Sequence, residues 1–158
     1  YKNKNFIKLD GKILPFKDDE FDFVIASHVL EHVEDVTTFI KELSRVSSKG
    51  YIELPTVLED NLVFENKKDH IWHMEFDDIE NKLNISEKIQ YLEPVITVST
   101  SKKFSKIFRQ SLVLELYWEE NIEFNLIQKK KSDFQKISRL TLFRKFLSKH
   151  LRNILRKN

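Results

Sequence analysis

The sequence predicts an α/β fold: a parallel strand–helix–strand unit, extended by antiparallel hairpins and closed by an amphipathic helix. Three observations carry this. Phe21 to Ala26 (F-D-F-V-I-A) is a short β-branched and aromatic run, the signature of a buried parallel strand. Val36, Phe39, Ile40, Leu43 and Val46 then recur at helical spacing, directly after Asp35, a residue suited to cap a helix. Tyr51 to Leu54 forms the next strand and Pro55 stops it. Strand, helix and strand over about thirty residues make a right-handed βαβ unit.

The flanking elements follow in order. Asn5 to Leu9 is a short strand candidate that ends on the turn signal Asp10-Gly11. Leu14-Pro15-Phe16 and the acidic Asp18-Asp19-Glu20 connect it to the buried strand. Lys41, Glu42 and Arg45 point outward from the helix, and Ser47, Ser48 and Gly50 end it. Beyond Pro55, Trp72, Met74 and Phe76 alternate with polar residues, and Leu83, Ile85 and Ile89 resume the alternation after Asp77 to Lys82. That pattern predicts a hairpin, broken at Glu93-Pro94. Lys103 to Gln110 reads as a short helix with Phe104, Ile107 and Phe108 on one face. Leu112 to Trp118 and Ile122 to Ile127 read as a second hairpin about Glu119-Glu120-Asn121. From Lys129 the chain is helical, with Leu140, Phe143, Leu147, Leu151 and Ile154 along one stripe.

Composition narrows the chemistry. With no cysteine, disulfide scaffolds, thiolate metal sites and cysteine nucleophiles are excluded. The two glycines, Gly11 and Gly50, permit no G-x-G phosphate loop in these 158 residues. The absence of a long apolar run or signal peptide makes a cytoplasmic location the expectation. The charge is uneven. From Lys129 onward eleven basic residues face a single acid, Asp133, a surplus of +10, which leaves −8 on residues 1–128 against +2 overall. Residues 1–128 are therefore read as one body, with the βαβ core at 5–55 and a hairpin-rich region at 56–128, and residues 129–158 as a basic helical tail. That tail suits docking on its own acidic body or an anionic membrane surface. Nucleic acid is not expected, because no aromatic-interleaved basic groove accompanies the charge.

The run L-P-F-K-D-D-E-F-D-F-V-I-A-S-H-V-L-E-H-V-E-D-V, with F-I-K-E-L-S-R-V and G-Y-I-E-L-P after it, resembles the class I S-adenosylmethionine-dependent methyltransferases of the type 11 group. The match spans about residues 7–55, with turn, strand, His-Leu-Glu-His and helix in the family's order. The resemblance implies the C-terminal part of a Rossmann-like methyltransferase sheet and S-adenosylmethionine as cofactor. It places Asp10 and Gly11 at the adenine and Ser27 and His28 at the methionine half. It places Glu31 and His32 at the pocket of a small-molecule or glycan-type acceptor, where a neutral imidazole can take a proton. The family's first strand and glycine-rich loop are not among these residues, and the chain opens on Tyr1, so a fragment is expected.

Rival readings stand beside these. A remnant or interaction module could keep the βαβ core without cofactor, and Asp10 before glycine is equally a plain turn residue. His28-Val29-Leu30-Glu31-His32 also fits the H-x-x-E-H zinc signature. That motif needs both histidines on one helix, whereas here it follows directly on a strand, so no metal is expected. His70 and His73, placed on a strand, would point to opposite faces and make no metal pair. Either His70 or Trp72 could border the acceptor pocket. The Asn84-Ile85-Ser86 sequon is taken as chance.

Overall fold

The computed structural model describes residues 7–9, 13–128 and 136–155. The first sheet has the order β1-β2-β5. Strand β1 (Val24–Ser27) runs parallel to β2 (Lys49–Pro55), with Ala26 opposite Ile52, and helix α1 (Val36–Val46) makes the crossover. Strand β5 (Val113–Glu119) lies antiparallel on the far edge of β2. The second sheet, β3-β4-β6, is built on the antiparallel pair β3 (Trp72–Asp77) and β4 (Lys82–Glu87), with β6 (Phe124–Leu126) parallel to β4. The short helices α2 (Val57–Leu62), α3 (Asn66–Asp69), α4 (Val98–Phe104) and α5 (Arg109–Leu112) connect them, and α6 (Arg139–Leu155) is the last element among the described residues. One apolar core joins the layers, with Leu30, Ile40, Ile52, Leu54, Leu83 and Ile85 fully buried in it.

The βαβ unit and the first hairpin are where the periodicity predicts them, and Asp35 caps α1 by accepting from the Thr38 amide at 3.2 Å. Several expectations need correction. The strand expected at Asn5 to Leu9 is not seen at residues 7–9, and its remainder lies outside the described residues. β1 begins only at Val24, because Phe21 turns away to meet Phe16 edge-on at 4.8 Å. Nor is β1 buried on both faces. Ala26 enters the core while Ile25 is 67% exposed, because β1 is an edge strand whose outer face carries no helix among the described residues.

Glu42 is not on an outward face but buried. It accepts from the Leu14 amide and from Arg45, whose guanidinium also binds the carbonyls of Leu14 and Phe16 and the Asp18 carboxylate. The loop before β1 folds over that side of α1 and makes it interior. Gly50 does not cap the helix. It lies in β2 beneath Trp118, where a Cβ would come within 2.0 Å of the indole and 2.5 Å of the Val24 carbonyl oxygen.

The second hairpin is two separate strands. β5 pairs with β2 and β6 with β4, because Glu120 turns the chain at φ 67° and buried Ile122 draws it into the core between the sheets. The helix expected at Lys103 to Gln110 resolves into α4 and α5 around a turn, leaving Phe104, Ile107 and Phe108 exposed. Of the tail, residues 129–135 lie outside the described residues. The helix starts at Arg139, and Leu140, Phe143 and Leu147 are exposed along it. Its seat on the body is at its beginning, through an Ile137–Leu92 bridge and the Arg139–Glu93 pair.

Candidate functional site

The site is built where β1 ends. His28 adopts φ 53°, a left-handed conformation uncommon for a residue with a Cβ, and its amide makes one more bond to the Glu53 carbonyl (2.9 Å) before the chain turns. A 3-10 turn over Leu30–His32 follows, pinned by Leu30, which is wholly buried. The turn sends Glu31 inward, 1% exposed, and His32 outward.

A second segment is fastened to this turn by three hydrogen bonds. The Ile71 amide donates to the Glu31 carbonyl, His32 Nδ1–H to the Asp69 carbonyl, and the Trp72 indole N–H to the Val33 carbonyl, each at 2.8 Å. They bring His70 against His32, ring edge to ring face, with centroids 4.6 Å apart. Because a carbonyl only accepts, Nδ1 of His32 carries a proton, and in the neutral ring the lone pair is on Nε2.

Behind His70 lies Asp60, on α2 and 1% exposed. Thr56 caps α2 by accepting from the Glu59 amide. Asp60 Oδ1 accepts from His70 Nδ1 at 2.5 Å and from Lys88 Nζ at 3.1 Å. His73 Nε2 stands 3.0 Å from Asp60 Oδ2. Burial pushes the Asp60 carboxyl up, but His70, His73 and Lys88 together outweigh it and hold the group below the usual carboxylate range. The neighbouring Glu59 goes the other way. Burial raises it, and the hydrogen bonds from Ser101 and Asn66 oppose that only in part. Two adjacent carboxyls are thus driven in opposite directions.

At the strand edge, Ser27 Oγ donates to Glu53 Oε1 at 3.2 Å. The His28 ring sits between Glu31 and Glu53, 3.3 Å from each, and the hydrogen bond to Glu31 raises its pKa above the ordinary value. Glu53 is also bound by the Tyr51 hydroxyl and Arg109 on the open sheet face. A cleft of about 330 Å³ opens here, lined by His28, His32, His70, Glu59, Asn66 and Ser101 among others. That volume is at the low end of small-molecule sites.

Of the residues singled out in the sequence, the structure brings His28 and His32 to one cleft, with Ser27 on the adjoining strand edge. Glu31 lies beneath as the support of His28. Asp10 and Gly11 lie outside the described residues. His70 and His73 do not diverge to opposite faces: His70 precedes β3, so the strand alternation does not apply, and both rings meet Asp60. Asp60, Glu59 and Lys88 belong to no catalytic or ligand-binding motif in the sequence. Thr56-x-x-Glu59 is a helix-start signal that marks α2, but nothing local marks Asp60 as the partner of residues ten to twenty-eight positions away.

Residues 1–52 match the methyltransferase domain family. A norajmaline N-methyltransferase from Rauvolfia serpentina is 44% identical over 41 residues, which is 26% of this chain and 14% of that protein. The chain therefore spans a small part of the length of the curated relative it matches. The resemblance to class I S-adenosylmethionine-dependent methyltransferases holds over that third of the chain, which contains β1, α1 and the start of β2. The mixed α/β architecture with its two small sheets is consistent with part of a Rossmann-like methyltransferase fold.

Proposed function

We propose that this chain forms part of a methyltransferase that uses S-adenosylmethionine and acts on a small-molecule or glycan-type acceptor. The observation that carries the reading is positional. The family match ends within β2, and the end of β1 that it contains, at Ser27-His28, brings His28 to the histidine-lined cleft. Ligands of open α/β sheets sit beyond those carboxyl ends.

The described residues fit one wall of a cofactor site. Ser27 and His28 stand exposed at the strand edge, with a hydroxyl and a turned backbone available to an amino-acid group. Asp10 and Gly11 are proposed for the adenine by family position. When bound, S-adenosylmethionine supplies an electrophilic methyl group on sulfur. The protein's part is then chiefly alignment, since an in-line displacement gains most from correct placement of the acceptor. His32 and His70 line the acceptor side. His32, its Nδ1 proton fixed on Asp69, offers at Nε2 a lone pair that can meet a proton or a cation. Glu31 acts from below by holding His28.

Calorimetric titration with S-adenosylmethionine, on this chain and on the full natural protein, tests the reading. The full protein is expected to bind one equivalent, at least about tenfold more weakly with Ser27→Ala, the loss of one hydrogen bond to a charged group. Absence of binding to the full protein would overturn it.

A further inference from the structure

Two side chains that line the cleft, His32 and His70, and buried Glu31 beside them have a geometry that methyl transfer does not require. Glu31, His32 and His70 each offer a donor atom, all within 4.8 Å of one another. Both histidines have the other ring nitrogen fixed from outside, His32 Nδ1 by the Asp69 carbonyl and His70 Nδ1 by the Asp60 carboxylate. Each is left with Nε2 as the free lone pair. Metal-ligating histidines are held in this way, by a carbonyl or carboxylate that sets the tautomer and ring orientation. Glu31 supplies the second observation. It is 1% exposed, its Oε1 faces His28 Nδ1, and its Oε2 is buried without a hydrogen-bond partner. Buried anionic oxygens are rarely left so, and a bound cation would satisfy it.

We propose that Glu31, His32 and His70 bind one divalent transition-metal ion of the zinc class at the floor of the cleft, with a coordination position open to solvent or to an acceptor oxygen. Two imidazoles and one carboxylate are a donor set that zinc, iron(II) or manganese accepts, and three protein ligands leave a position free. His32, exposed, marks the open side, while Asp60, Lys88 and His73 close the far side of His70. The H-x-x-E-H run therefore takes part, though not as the zinc signature would have it. His28 steps back to support Glu31, and the second imidazole arrives from residue 70.

The inference concerns ion binding by these side chains and does not rest on the methyl-transfer reading. Equilibrium dialysis against Zn²⁺ with metal analysis tests it on the chain and on His32→Gln, His70→Gln and His150→Gln variants, each checked for folding by circular dichroism. The wild type and His150→Gln are expected to retain one equivalent, and the other two to bind at least about 1,000-fold more weakly or not at all, beyond the 10–100-fold typical of an outer-shell loss. No uptake by the wild type, uptake unchanged in both cleft variants, or loss in His150→Gln would each overturn the proposal. Should a cleft variant fail to fold, X-ray absorption on the zinc-loaded wild type decides. Two imidazole nitrogens at about 2.0–2.1 Å support the site and fewer overturn it. Cofactor calorimetry on metal-free protein reads the methyltransferase proposal separately.

Discussion

Asp60 shows how much one buried carboxylate can organise. It answers His70, Lys88 and His73 from a position 1% exposed, so its removal leaves a buried ammonium and two imidazoles without their counter-charge. Asp60→Ala is expected to cost about 3–5 kcal/mol in urea unfolding, the range for breaking a buried ion pair from one side. Its pH dependence has a definite sign. A carboxyl held below its unfolded value of about 3.9 contributes stability that is complete above that pH and is lost as pH falls through the folded value. Asp60→Asn should therefore flatten the acid limb of the stability curve below about pH 4, measured by unfolding across pH 2–6. Gly50 is the opposite case, where the missing side chain matters. Gly50→Ala sets a methyl against the Val24 carbonyl and the Trp118 ring, and about 2 kcal/mol or more of destabilisation is expected in the same assay.

Among the elements, α1 was the most legible, because its stripe and its cap are written in adjacent residues. What adjacency could not reveal is that a preceding loop would bury Glu42. The Arg45–Glu42 pair holds residues 14–18 against the helix through two carbonyls and Asp18. Arg45→Met should leave α1 helical by circular dichroism while trypsin cleavage at Lys17 becomes at least about tenfold faster, reporting local opening of that loop. The two strands read as a second hairpin failed for a related reason. Their alternation was real, but pairing is chosen by neighbours distant in sequence: β5 found β2 and β6 found β4. The same limit hid the cleft. His28 and His32 stand in a motif, whereas His70, Asp60 and Lys88 reach it only through tertiary folding.

At the scale of the whole molecule, the two faces of the first sheet differ. One is packed on the core. The other shows Ile25 at 67% and Tyr117 at 72% exposure, with Phe23 beside them at 48%, and among the described residues no strand pairs with the outer edge of β1. Apolar sheet surface beside an open edge is a site for association. Ile25→Thr keeps the β-branched strand residue and removes apolar surface. It should leave the urea midpoint nearly unchanged, within about 0.5 kcal/mol. It should also lower concentration-dependent association in sedimentation velocity. Among the described residues no helix is long and apolar enough to cross a membrane, and α6 meets the body only at its first turn.

The three hydrogen bonds that fasten residues 69–72 to the turn after β1 also couple site and fold in time. His32 and His70 belong to different sheets' neighbourhoods, so the cleft exists only while the hairpin layer is docked on the βαβ unit. The Ile71 amide, donating to Glu31, is thus a clock for that docking: its hydrogen-exchange rate records each undocking event. Anything bound across the two histidines must slow that clock in proportion to its affinity, which makes one backbone proton a gauge of occupancy for ligands that leave no other signal.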